Sequence, residues 1–363
     1  MLEFIIKFKI AVGKNYYLKK DLTMCTRILY EAQSPENNYL VGRTMDWYED
    51  TQTNLWAFPR GMKRNGGVGD KSIEWTSKYG SLVGDIYAAA SCDGINDVGL
   101  VGNALYLAES DYGDPNQSDK PQISIGAWLQ YILDNYSTVA EAVEGFREQP
   151  FAIVAPVLPG DKPSTGHISI SDSSGDNAIF EYIEGELIIH HDHKYSVMTN
   201  QPPYDQQLAI NTYWDTVGGL NMLPGTHRAS DRFARVSWNL NAAQQPEALK
   251  KVDSKEMAAG VILSIMRHMS VPLTLADPEK PNISATAWRV VSDIKNKIFY
   301  FDYSYRPSVF WVDLKKLNLK EGAPSQKLEA YNMTGLTGEV SDKFVPHEPF
   351  PWLSEENKSR CAS

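Results

Sequence analysis

Apolar residues in this chain fall into segregated blocks: runs of period two, then residues at helical spacing, then period two again. That segregation limits what the chain can fold into. Two short apolar runs, CTRILYEA and NYLVGRTMDW, are separated by QSPEN, whose Ser, Pro and Asn are turn signals, so a hairpin is predicted to begin at Cys25. Residues 121–147 carry Ile125, Trp128, Leu129 and Ile132 at helical spacing, then Thr138 and Glu141 in capping-box register, which predicts two helices. Between 166 and 200, GHISISD, NAIFEYIEG, ELIIHHD and YSVMTN read as a meander of strands. Helical patterns recur at 229–241 and 254–269, and AWRVVSD with KIFYFDYS makes a strand pair around Lys295 and Asn296. The stretch from Trp47 to Ser91, with Pro59, Gly61, Gly66, Gly67 and Gly69, reads instead as loop carrying exposed aromatics, the kind of segment that often builds binding sites.

Separate strand and helix blocks point to the α+β class, with sheets packed face to face and helices outside them, over the βα alternation of a doubly wound fold. A chain of 363 residues has room for two domains. No repeat, low-complexity tract or strong linker divides it, so one compact domain over residues 25–363 is expected.

Composition removes several functions. A formal net charge of -10 leaves no basic face for phosphates, so a nucleic-acid partner is not expected, and a small neutral or partly apolar substrate is. No run approaches the roughly 18 apolar residues that span a bilayer. The most apolar N-terminal piece, FIIKFKIAV, is broken by Lys7 and Lys9, which also makes it a poor signal peptide. GGVGDK at 66–71 lacks the spacing of a phosphate loop and is read as a flexible loop. In the HHDH run, alternation sends His191 and His193 to one face and His190 to the other, so a solvated strand end is expected there, with no metal and no cofactor.

Chemistry centres on cysteine. Cys25, Cys92 and Cys361 are too few for a disulfide framework. A lone cysteine is structural by default, but Arg43 and Asp46 should lie on the second strand of the hairpin, within reach of Cys25. A neighbouring cation lowers a thiol pKa and supplies thiolate, and a carboxylate can hold an amine. Arg43 and Asp46 are three apart, so a regular strand sends them to opposite faces; if both serve Cys25, the strand must bulge or end between them.

MCTRILYE at 24–31, GRTMDW at 42–47, DGINDVGL at 93–100, VMTNQP at 197–202 and ASDRFARV at 229–236 together resemble the choloylglycine hydrolase family, which comprises bile salt hydrolases and penicillin V acylases. The resemblance implies a four-layer αββα sandwich of the N-terminal nucleophile hydrolase type. It also implies a nucleophile at Cys25, Arg43 beside the thiol, Asp46 orienting the α-amine, Asn200 donating to the oxyanion, and Arg232 supporting the site electrostatically. In NALYLAE, Tyr106 would supply a backbone N–H as second oxyanion donor. Such members usually form homotetramers, so a homo-oligomer is expected.

The implied chemistry needs Cys25 at the mature N-terminus, because an α-amine has a pKa of roughly 7.7–8.0 and acts as a base near neutrality, whereas a peptide nitrogen does not. Residues 1–24 should therefore be absent from the active enzyme. They are either a cleaved leader, which places the protein in the periplasm or outside the cell, or an upstream misreading of a start at Met24, which places it in the cytoplasm. A lipoprotein reading of Leu22-Thr23-Met24-Cys25 is weaker, since Met is bulky before the cysteine. TNLWAFP, SIEWTSKYGS and LYLAESDYG resemble the Gram-negative penicillin V acylase branch, and Trp47, Trp56 and Tyr106 are the candidate substrate-pocket residues. Rival readings are a conjugated bile salt hydrolase, an N-acyl homoserine lactone acylase, and a ligand-binding protein that keeps the fold without catalysis.

Overall fold

The computed structural model describes residues 24–33, 37–47, 49–158, 162–218, 221–273 and 284–361, so residues 1–23 of the predicted 1–24 leader and the tip of the QSPEN turn lie outside them. Strands β1 (Met24–Ala32) and β2 (Asn38–Trp47) form the expected hairpin in an unbroken register, with Cys25 opposite Met45 and Arg27 opposite Arg43. From Cys25 on, nearly every residue of the two strands is buried, because the sheet they belong to is covered on both faces.

That sheet has seven strands among the described residues. Its order is Val197–Met198, β1, β2, Ala285–Asp293, Ile298–Tyr303, Val309–Asp313 and Gly338–Glu339. A second sheet, of nine strands among the described residues, runs from Glu186–His191 through Asn177–Ile183, His167–Ser171, Val101–Leu105, Ala90–Asn96, Ser81–Ile86 and Leu55–Phe58 to Gln326–Leu328 and Val345–Pro346. Helices Ala229–Ala243 and Lys255–Met269 cover the first sheet, and Ile125–Asn135 and Val139–Arg147 cover the second, which gives the expected αββα layering. Gly42 in β2 lets the Lys255–Met269 helix lie directly on the sheet, since a Cβ there would fall 2.4 Å from Ile262 Cγ2. The helix starts are capped as their sequences imply: Thr138 Oγ1 accepts from Glu141 N at 3.2 Å and Ser254 Oγ from Met257 N at 3.2 Å. The Glu141 carboxylate reaches back to Ser137 N at 2.8 Å.

Two local expectations are corrected, and one further helix is found. The Trp47–Ser91 stretch contains strands Leu55–Phe58, Lys63–Asn65, Glu74–Thr76 and Ser81–Ile86, and its aromatics Trp56 and Phe58 are core. Short strands punctuated by Gly and Pro resemble loop in one dimension. The meander of three strands is present, but its expected fourth strand, Val197–Met198, leaves it to pair with β1 in the other sheet. A helix over Tyr204–Val217, which pattern did not indicate, fills part of the segment between Asn200 and Arg232; its largely polar surface gives little periodic signal. No helix among the described residues is long and apolar enough to cross a membrane.

Candidate active site

Alternation along β1 and β2 sorts the site residues onto two faces. Cys25, Arg27, Arg43 and Met45 point into the space between the sheets, and Thr26, Gly42, Thr44 and Asp46 point toward the helices. On the inter-sheet face, Arg43 Nη2 lies 3.6 Å from Cys25 Sγ and donates to the Ala104 carbonyl at 3.1 Å. Its Nη1 sits 2.8 Å from Asp93 Oδ2, a fully buried charge pair, and the guanidinium stacks 4.6 Å from the Trp288 ring centroid. Asn103 Nδ2 donates to the other Asp93 oxygen at 2.5 Å.

On the helix face, Asp46 accepts from Thr286 Oγ1 at 2.5 Å and Thr44 Oγ1 at 3.3 Å, and Arg232 Nη1 stands 4.0 Å away. Arg232 also donates to the Cys25 carbonyl, to Thr26 Oγ1 at 2.5 Å and to Asn200 Oδ1 at 2.9 Å. Arg43 and Asp46 thus flank Cys25 from opposite faces. The bulge expected in β2 is absent: its pairing with β1 runs unbroken, so Arg43 meets the Cys25 thiol on one face while the Asp46 carboxylate bonds Thr286 and Thr44 on the other. The irregularity lies in the neighbouring strand, between Thr286 and Trp288. One extra residue there sends Thr286 to Asp46 and Trp288 to Arg43, two residues apart in sequence yet on opposite faces.

Asn200 ties the backbone together. Its Oδ1 accepts from the Cys25 backbone nitrogen, and its Nδ2 donates to the Tyr106 carbonyl at 2.7 Å. Gln207 Nε2 donates to the carbonyls of Asn200 and, at 2.7 Å, Pro202, and Gln207 Oε1 accepts from Thr199 Oγ1 at 2.6 Å. The Thr199 carbonyl also bonds His167 Nε2 at 2.8 Å, whose Nδ1 meets Glu181 Oε1 at 2.8 Å. Burial works to raise the Glu181 pKa, but hydrogen bonds from His167, His190 and Tyr204 N hold it down at about 2. His190 therefore faces inward to Glu181, while His191 pairs with Asp176 at 2.8 Å.

Electrostatics corrects one expectation. With Met24 attached, Cys25 is 1% exposed and burial pushes its thiol pKa up; Arg43 and Arg232 pull it down, Asp46 pushes it up, and burial prevails. Arg43 favours the thiolate, as expected, but the burial of Cys25 outweighs it. Burial likewise raises Asp46 to about 6 and Asp93 to about 6, against the pull of Arg232 and Thr286 on the first and of Arg43 and Asn103 on the second.

A cavity of about 130 Å3 adjoins Cys25, with Arg43, Met45, Trp47, Tyr87, Ala104, Tyr106, Trp128, Leu158 and Leu353 among its lining residues. Trp47 meets Tyr106 edge to face at 6.2 Å and donates from Nε1 to Tyr87 Oη at 2.9 Å. The structure thus brings together Cys25, Arg43, Asp46, Asn200, Arg232, Trp47 and Tyr106. Trp56 is not brought to the cavity: its strand turns it to the outer face of the second sheet, where it packs 5.1 Å from Phe350 and donates to Asp85 Oδ2 at 3.1 Å. Sequence reading missed Asp93, Trp288, Thr286, Gln207 and the His167–Glu181 pair. Asp93 opens the DGINDVGL motif and was open to detection as a lone acid in an apolar strand; the others carry no local signal.

The family described as linear amide C–N hydrolases, choloylglycine hydrolase family, matches residues 25–334. The penicillin V acylase of Pectobacterium atrosepticum is 42% identical over 342 residues, which is 90% of this chain and 91% of that protein. A solved structure of penicillin V acylase from Agrobacterium tumefaciens superposes with a TM-score of 0.82 at 43% identity, covering 91% of this chain and 99% of that one. A mutant of the conjugated bile acid hydrolase from Clostridium perfringens, at 21% identity and a TM-score of 0.71 over 87% of this chain and 98% of that one, shares the fold.

Proposed function

The chain belongs to the choloylglycine hydrolase family, a cysteine-nucleophile amidohydrolase with Cys25 at the start of its first strand, and from that premise we propose that it removes a compact aryl-acyl group from an amide nitrogen, as a penicillin V acylase does. The cavity beside Cys25 carries this reading. Its volume of about 130 Å3 and its apolar lining have room for one aromatic ring against Trp47 and Tyr106.

Catalysis in this reading starts once the chain before Cys25 is gone. The freed α-amine accepts the thiol proton, and the thiolate attacks the amide carbonyl. Asn200 Oδ1, which accepts from the Cys25 nitrogen, would hold the amine, Asp46 would orient it from the helix side, and Arg43 faces the sulfur. Asn200 Nδ2 has a second hydrogen besides the one on Tyr106 O, and with the Tyr106 N–H it would stabilise the oxyanion. The ammonium returns its proton to the leaving nitrogen as the C–N bond breaks, and the amine then draws a proton from the water that hydrolyses the thioester.

Two measurements test this. Intact mass of the active enzyme should place Cys25 first; full activity with residue 24 retained would overturn the amine mechanism. Values of kcat/KM should rank penicillin V above glycine-conjugated bile salts and long-chain N-acyl homoserine lactones, and the reverse order would replace the substrate class.

A further inference from the structure

We propose that the segment Phe350–Cys361, which lies beyond the 25–334 stretch matched by the family, is a specificity wall that limits the length of the acyl group. The proposal rests on the acyl group occupying the cavity beside Cys25. Leu353 and Cys361 both line that cavity, and each is only 6% exposed. With Tyr87, Ala89 and Leu158 they form an apolar cluster distinct from the core cluster that contains Cys25. Trp47 and Ile86 pack against both, so the C-terminal residues stand across these two side chains from the nucleophile.

The segment is built in, not merely draped over the surface. Leu353 N donates to the Ala89 carbonyl at 2.7 Å, and the Leu353 carbonyl accepts from Ser124 Oγ at 2.5 Å. Ser124 also caps the Ile125–Asn135 helix, so one side chain anchors both that helix and the wall. Gly126 allows the approach: a Cβ there would fall 2.5 Å from Ala89 O and 3.2 Å from Leu353 N, which would pry the wall outward. On the far side, Trp352 packs on Phe350 at 5.3 Å and lies under Arg64 at 5.6 Å, and Asn357 Nδ2 donates to the Trp352 carbonyl at 2.7 Å. Burial, with a smaller push from Glu49, raises the Cys361 thiol to about 11, so it meets an acyl chain as a small neutral surface.

Shortening Leu353 should therefore lengthen the cavity, and enlarging it should shorten the cavity. The test compares kcat/KM for phenoxyacetyl, hexanoyl and decanoyl amides of one amine in wild type, Leu353→Ala and Leu353→Phe, with Tm reporting folding. The decanoyl-to-phenoxyacetyl ratio should rise about tenfold in Leu353→Ala and fall about tenfold in Leu353→Phe, the discrimination a few methylenes provide in an apolar pocket. Calorimetric Kd values of phenoxyacetic, hexanoic and decanoic acids, measured with the same Leu353 substitutions in a Cys25→Ala background, give the same comparison without turnover. Folded variants with unchanged ratios in both measurements overturn the proposal. A wild type that prefers bile salts overturns the substrate reading instead, a result visible without any Leu353 variant.

Discussion

Asn200 donates from Nδ2 to the backbone carbonyl of Tyr106 at 2.7 Å, so the two residues proposed to hold the oxyanion are joined before any substrate arrives. The bond makes the donor pair preorganised, the condition under which such groups stabilise a transition state without reorganising. Asn200→Ala should lower kcat by about 10² to 10³ with a smaller change in KM, read from steady-state kinetics on penicillin V. A KM effect alone would place Asn200 in substrate binding.

Arg43 and Asp93 form a buried pair at 2.8 Å, and this gives a way to separate fold from chemistry. Arg43→Met leaves Asp93 without its partner and should cost about 3–5 kcal/mol in urea unfolding. Adding Asp93→Asn removes the stranded charge while keeping an amide for Asn103, so stability should largely return. Activity should not, because no guanidinium then faces Cys25 Sγ. Recovery of both would assign Arg43 to the fold only.

The two tryptophans carried forward from the sequence should part company. Trp47→Ala should lower kcat/KM for phenoxyacetyl amides about tenfold while sparing small acetyl amides, since it opens the wall shared with Tyr106. Trp56→Phe should leave kcat/KM unchanged and lower Tm, because it loses the bond to Asp85 and packing on Phe350.

Asp85 sets a pH dependence of stability whose sign follows from burial. Burial raises its pKa from 3.8 to about 7, against hydrogen bonds from Asn54 N and Trp56 Nε1. The folded state therefore holds this proton more tightly than the unfolded chain, and the resulting stability is present below pH about 4 and lost as pH rises to about 7. Asp85→Asn should flatten that part of the Tm profile between pH 4 and 8. An unaltered profile would show that Asp85 is ionised throughout.

Much of the architecture was legible because it is written locally. Turn residues around QSPEN, the Thr138–Glu141 spacing and the i, i+4 rows of 229–241 and 254–269 each act within a few residues, and each element formed. Leu55–Phe58 was not legible as strand, since four residues set among Pro and Gly lack a period long enough to detect, and without that strand Trp56 could not be assigned a face. Gln207, His167 and Glu181 were invisible for another reason: their role is to hold the backbone at 199–202, and only folding brings those segments together.

By itself, then, the sequence determined the hairpin, the alternation of strand and helix blocks, and which cysteine stands beside Arg43 and Asp46. Only the tertiary structure decided how those neighbours act. Proximity to Arg43 implies a lowered thiol pKa, yet Cys25 is raised, because desolvation depends on how completely two sheets and their helices exclude water and not on any neighbour along the chain. The same packing placed Thr286 and Trp288 on opposite faces and brought Leu353 into the cavity lining, outcomes that no one-dimensional spacing contains.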